Sequence, residues 1–402
     1  MDKYFFVLGR YPAVSFAEIQ AVLTKFNLKF SADLNSSEVA IFSIESGHNL
    51  QDLFYSLGGS IKFGRVLGEA PLDADETVFQ KFLEAPFLKE KVIPANIKKV
   101  HFGISVYEAG AEKEIITNLT DNLKDFNRTI KDSLKGAGIS SGFLRIKEKT
   151  LSSVAVVKNQ LLDHGFELDL IGAPGKIIIG KTINVQNFAS FTNRDMNRPG
   201  KDKKSGILPV KLARIMVNLL AETPPTLLDP FCGSGTIIME AALLGIKNLV
   251  GSDIEKRALD DTKKNMDWLV RTGHLKSTDL KTQFKLADAR RIDKVLGVNF
   301  TDSIVTEPYL GPPIFNPPAQ LQTKRIFDSL IPLYRESLLV FHRILKENGK
   351  IVMVFPFFQS RDANFFMDKK IIDDSKFKTL SSLLYSSPGQ FVGREIVVLA
   401  KI

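Results

Sequence analysis

Three carboxylates close three short apolar runs: Asp229 ends "TLLD" and opens "DPFCGSGT", Asp253 ends "NLVGSD", and Asp288 ends "QFKLAD". Acids at the ends of successive strands can accept hydrogen bonds from one ligand lying across them. Gly233 and Gly235 let main chain approach that ligand closely, and Thr236 is placed to cap a helix whose first amides are free. The pattern suggests a nucleoside. Asp253 can accept from both hydroxyls of a ribose and Asp288 from an adenine amino group, with Phe231, Ile254 and Ala289 as neighbours in the expected pocket. A dinucleotide fingerprint needs a third glycine where Ile238 stands, which argues against a nicotinamide cofactor.

Such residues need a doubly wound sheet to hold them. After Pro225 the sequence supplies alternating apolar strands and helices, among them "TIIMEAALLG", "EKRALDDTKKNMDWLV" and a long helix ending "YRESLLVFHRILKENG" that Asn348 and Gly349 should terminate. A closing hairpin is expected from "FKTLSSLLYSSPGQ" and "FVGREIVVLAKI". The chain before Gly180 reads as α+β with no glycine-rich nucleotide loop, including an expected strand at "SVAVVKNQLL" and one polar helix through "IITNLTDNLKDFNRTIKDSLKGAG"; it fits a binding module better than a catalytic core. Between the halves, Arg194 to Arg214 carries seven cations against Asp195 and Asp202, a basic connector that could be a solvated linker or a nucleic-acid contact.

At 402 residues the chain is long enough for several domains, and its net charge of +9 suits a polyanionic partner without requiring one. The single cysteine, Cys232, excludes an internal disulfide, and the five histidines lack ligand spacing, so no metal is expected. No apolar run is long enough to cross a bilayer and the first residues lack a signal-peptide core, making the cytoplasm the expected location and a membrane an unexpected partner.

Together, "LLDPFCGSGTIIMEAALLG", "VGSDI" and "LADA" resemble the cofactor half of class I methyltransferases. "RDMNRPGKDKKSGILPVKLARIMVNLL", "SSVAVVKNQLL", "IKFGRVLGE" and "LYSSPGQFVGREIVVL" narrow the resemblance to THUMP-domain tRNA guanine-N2-methyltransferases, over nearly the whole chain. It implies S-adenosyl-L-methionine as cofactor, with Asp229 near its methionine end, and tRNA as partner of a monomer. It also implies a ferredoxin-like α+β domain over residues 1–68, a THUMP domain over 69–180, a basic linker over 181–209 and a Rossmann-like α/β methyltransferase domain over 210–402. Arg145, Lys158, Arg194, Arg198 and Lys204 are then the candidates for phosphate contact.

Amino-directed members of this superfamily carry an acid or amide, two prolines and an aromatic after the fourth strand. An exocyclic amine conjugated to a purine is a poor nucleophile, so its protons must be accepted and its lone pair aimed. Here the segment reads Thr306-Glu307-Pro308-Tyr309-Leu310-Gly311. One register puts Glu307 in the acid's place and Tyr309 in that of the second proline. The other keeps Pro308-Tyr309 as the proline–aromatic pair and puts Thr306 where the acid belongs. The first is preferred because an amine donor needs an acceptor, giving Glu307, Pro308 and Tyr309 as catalytic candidates. Methylation of adenine N6, or a fold that binds RNA without turnover, are the alternatives.

Overall fold

A computed structural model describes residues 1–93, 97–201, 208–275, 280–360, 363–387 and 389–402. The chain forms two compact units: Met1–Phe16, Asn27–Tyr55 and Gly59–Asn187 in the first, and Ala17–Phe26, Ser56–Gly58 and Phe188–Ile402 in the second.

The first unit is built on one eight-stranded sheet in the order β2-β3-β1-β4-β8-β7-β5-β6. Its strands are β1 (Asp2–Leu8), β2 (Phe30–Asn35), β3 (Val39–Ile44), β4 (Ser60–Pro71), β5 (Lys99–Glu108), β6 (Ser140–Phe143), β7 (Gly165–Ala173) and β8 (Lys176–Val185). The boundary expected between residues 68 and 69 falls inside β4, which pairs with β1 on one side and β8 on the other. The linker expected from residue 181 likewise begins within β8. Strand β7 is buried along its whole length, and carries Glu167 and Asp169 into the interior. Glu167 pairs there with Lys62 and accepts from Ser105 Oγ at 2.5 Å. Lys62 donates to the Leu151 carbonyl at 2.7 Å and Ser105 Oγ accepts from the Leu151 amide at 2.8 Å. The buried pair thus ties the segment between Arg145 and Lys158 to the interior, directly through Lys62 and indirectly through Ser105, while Lys62 also donates to the Tyr107 hydroxyl at 3.0 Å. That segment corrects the expected strand: Ser152 caps a short helix, Ser153–Lys158. The polar helix expected further back is two, Lys113–Asp121 and Leu123–Gly136, parted at Asn122.

The second unit holds the sheet β11-β10-β9-β12-β13-β16-β15, with β14 paired to β13. Its strands are β9 (Thr226–Asp229), β10 (Asn248–Asp253), β11 (Lys281–Leu286), β12 (Thr301–Thr306), β13 (Leu345–Gln359), β14 (Asn364–Phe366), β15 (Phe377–Tyr385) and β16 (Val392–Lys401). The five from β11 to β13 run parallel, and β16 and β15 return antiparallel as the expected hairpin. Leu228, Ile304, Met353 and Leu399 share one core with Tyr334, Leu338 and Phe341 of helix Gln320–Ile344. That helix stops at Ile344, four residues before the expected Asn348, because Leu345 already leaves the helical region at φ −77°, ψ 132° to enter β13. Among the described residues no helix is long and apolar enough to cross a membrane.

Candidate active site

Parallel strands deliver their carboxyl ends to one edge, and there the three acids and the motif after β12 line a single cleft of about 590 Å³. Asp229 closes β9, and the chain then turns through Gly233 (φ +51°) and Gly235 (φ +81°) into helix Thr236–Leu243. A Cβ at Gly235 would stand 2.6 Å from Thr262 Cγ2, so glycine is required by the turn itself. A Cβ at Gly233 would meet no protein atom within 4 Å. Because Gly233 lines the cleft, that space is room for a ligand against bare main chain. The helix starts without a side-chain cap: Gly235 occupies the cap position and Thr236 is its buried first residue, which corrects the capping role expected of Thr236.

Asp253, at the end of β10, secures this loop. Its Oδ2 accepts from the Gly233 amide at 3.0 Å and its Oδ1 from the Glu255 amide at 2.9 Å, leaving lone pairs for hydroxyl donors. Ile254 and Ala289 also line the cleft, as do Phe231 and Thr236; of the expected cofactor residues only Gly235 does not. Asp288 accepts from the Arg290 amide at 2.9 Å and from its guanidinium at 2.7–3.1 Å, which holds the carboxyl below its ordinary range. An adenine amino group can be received there once Arg290 yields one of these bonds.

Asp229 is buried, and its Oδ1 takes both of its hydrogen bonds, from Thr306 Oγ1 at 2.7 Å and the Phe231 amide at 3.2 Å. Desolvation outweighs these bonds and raises the carboxyl to about 7, with the charges of Asp253 and Glu307 adding to the rise. The hydroxyl of Thr306 is therefore committed to the interior. Glu307 lines the cleft, with Arg394 Nε on its Oε1 at 2.6 Å and Nη2 on its Oε2 at 3.5 Å. Arg394 stands on β16 and was not singled out in the sequence; the antiparallel register against β13, which opposes it to Pro356, brings it to the cleft. Pro308 and Tyr309 also line the cleft, the Tyr309 ring exposed and its carbonyl accepting from the Tyr334 hydroxyl at 3.1 Å.

The basic connector divides differently from expectation. Arg194 and Arg198 are buried, so neither is a surface phosphate contact as they stand. Arg194 donates to both oxygens of Glu240, at 2.6 and 3.2 Å, and Arg214 donates to Oε2 at 2.7 Å; both guanidiniums lie over the Phe191 ring. Charge in the sequence here serves to fasten helix Phe188–Met196 to the helix that follows the glycine loop. Asn265 fastens the connector again, accepting from the Gly200 amide at 2.7 Å and donating to the carbonyls of Gly200 and Ser234 at 2.8 Å. Arg145 and Lys158 are exposed on the first unit. Lys204 lies outside the described residues.

Comparison with known proteins gives this geometry a lineage. A family described as RMKL-like, methyltransferase domain, matches residues 200–379, and one described as DNA methylase matches 115–264, ending before Glu307. The tRNA (guanine(10)-N2)-dimethyltransferase of Methanothermobacter thermautotrophicus is 31% identical over 222 residues, 53% of this chain and 58% of that one. The protein of that name from Methanocaldococcus jannaschii is 24% identical over 364 residues, 87% of this chain and 89% of that one. A "Probable tRNA (guanine(10)-N2)-dimethyltransferase" of Methanothermococcus thermolithotrophicus is 34% identical over 140 residues, 34% of this chain and 82% of that one.

This chain belongs to the tRNA guanine-N2 methyltransferase family. Its fold agrees: TrmN from Thermus thermophilus superposes with a TM-score of 0.56 at 14% identity, covering all of both chains. SMU.472, complexed with SAH, does so at 0.52 and 13%, covering 99% of this chain and 98% of that one. The expected class I methyltransferase fold holds for this family member.

Proposed function

We propose that the chain transfers methyl from S-adenosylmethionine to the exocyclic N2 of a guanosine in tRNA. One observation carries the reading: Glu307 and Pro308, at the end of β12, open on the same cleft as Asp229, Asp253 and Asp288. The open space over Gly233 and the spare lone pairs of Asp253 fit a nucleoside cofactor, Asp253 taking its ribose, Asp288 its adenine and Asp229 its cationic methionine end. Bound there, S-adenosylmethionine supplies an electrophilic methyl on a positively charged sulfur. Glu307 accepts one N2–H, which turns the amine lone pair out of conjugation with the ring and gives the departing proton a destination. Arg394 holds the carboxylate to one side. The Pro308 carbonyl is the second acceptor, and the exposed Tyr309 ring is a surface on which an extracted base can stack.

The first unit is proposed as the RNA-holding THUMP half, supported by the exposed cations Arg145 and Lys158 on a segment anchored by the buried Lys62–Glu167 pair. Incubating the protein with isotopically labelled S-adenosylmethionine and unmodified tRNA transcripts, then digesting to nucleosides for mass spectrometry, tests the activity. Labelled N2-methylguanosine is expected, and label in another nucleoside would retract the guanine assignment. Glu307→Gln should lower kcat by roughly 10²-fold; unchanged turnover would remove Glu307 from the mechanism.

A further inference from the structure

The segment that follows the motif has a use the reaction leaves unassigned. Between β12 and helix Gln320–Ile344 the chain runs Glu307-Pro-Tyr-Leu-Gly-Pro-Pro-Ile-Phe-Asn-Pro-Pro-Ala319, and its five prolines fix φ at five of thirteen positions. It is also tied down along its length. The Tyr309 carbonyl is held by the Tyr334 hydroxyl, and Gly311, at φ +101°, would bring a Cβ within 3.0 Å of Ile326. Ile314 packs on the core beneath the long helix, and Pro318 is buried.

Phe315 nevertheless stands 82% exposed, more than any other large apolar side chain among the described residues. A floppy loop could fold such a ring back. This one is presented outward by anchors on both sides, Ile314 and Pro318, only three residues past the cleft-lining Pro312 and two past Pro313. The following helix exposes Lys324 and Arg325 in its first two turns.

These features meet a requirement of the chemistry. In a base pair with cytosine the guanine N2 donates to its partner from within the stack, whereas Glu307 is recessed, with its side chain only 16% exposed. A paired guanosine reaches that acceptor only by leaving the helix, which opens a gap one base thick. We infer, on the basis of the guanine-N2 reading, that Phe315 enters the gap left when a guanosine is drawn out of a stem, stacking on the neighbouring bases while Lys324 and Arg325 contact the flanking phosphates.

The test compares the full chain with Phe315→Ala and Phe315→Trp on two RNAs that differ in one respect: the target guanosine is paired in a stem, or lies opposite a missing nucleotide. Phe315→Ala should lose about tenfold or more in single-turnover rate on the paired target, keep its rate on the unpaired one, and be rescued by Phe315→Trp. Equal loss on both RNAs, or no loss on either, overturns the proposal. A second readout separates its failure from that of the guanine reading: 2-aminopurine at the target position brightens when unstacked, whether or not methyl is transferred. If wild type methylates neither RNA, the guanine reading fails; a fluorescence rise on the paired RNA that Phe315→Ala abolishes would still uphold the wedge, and a rise independent of Phe315, or none, would overturn it.

Discussion

Asp229→Asn should make the protein more stable and less able to bind its cofactor, with the stability gain appearing only as pH rises. Both hydrogen bonds to Asp229 fall on Oδ1, so an asparagine carbonyl can keep the bonds from Thr306 and Phe231 while its amide replaces Oδ2. Burial raises the native carboxyl from an ordinary 3.8 to about 7. An acid with a raised native value holds its proton in the fold after the unfolded chain has lost it, so stability falls as pH climbs from about 4 to about 7 and the full penalty persists above. The gap between the two values is worth roughly 4 kcal/mol at pH 8 and well under 1 kcal/mol at pH 4. Asparagine has no such dependence. Denaturant unfolding of both proteins at pH 4.5, 6 and 8, measured without cofactor, should therefore show a difference that grows with pH in favour of the variant. A difference that is flat with pH, or a variant less stable at pH 8, would refute the assignment of Asp229 as a desolvated carboxyl. Binding of S-adenosylmethionine, whose charge favours the ionised acid, should release up to about half a proton at pH 7 in wild type, where the carboxyl is half protonated; the variant should bind at least tenfold more weakly and release none.

The glycine loop offers a paired prediction. Gly235→Ala, which forces a Cβ onto Thr262, should destabilise by about 2 kcal/mol or more in thermal unfolding, whereas Gly233→Ala should cost about 1 kcal/mol and act mainly by lowering cofactor affinity in titration calorimetry. Glu240→Gln, which leaves Arg194 and Arg214 buried without their shared acid, should cost about 3–5 kcal/mol in the same unfolding assay. Replacing Arg145 and Lys158 together by glutamine should weaken tRNA binding and reduce the slope of log affinity against log salt by about 1.5, with kcat at saturating tRNA unchanged.

The alternation of apolar strands and helices after Pro225, and the acids that close its strands, were legible because both depend on local rules: strand burial sets the composition, and a ligand at the strand ends sets the residue that follows. The same rules misjudged "SVAVVK", whose β-branched run is a capped helix, because Ser152 accepts from the Ala155 amide and so stabilises the first turn against propensity. They also let the long helix run to Asn348, since nothing in the sequence marks the pull of β12, whose Thr301 pairs with Leu345. Arg194 and Arg198 looked like phosphate contacts because a sequence records charge and not burial. Whether an arginine faces water or Glu240 depends on how two helices 46 residues apart in the chain are packed.

Glu307 shows the division most plainly. The sequence determined that an acid follows the fourth parallel strand of this sheet, and left open whether it or Thr306 faces the substrate. Tertiary structure turns Thr306 inward onto Asp229 and carries Arg394 from 87 residues away to the Glu307 carboxylate. Local spacing fixes which side chains a strand end can present. The charge state and partners of those side chains come from desolvation and from sheet register, which belong to the folded chain as a whole.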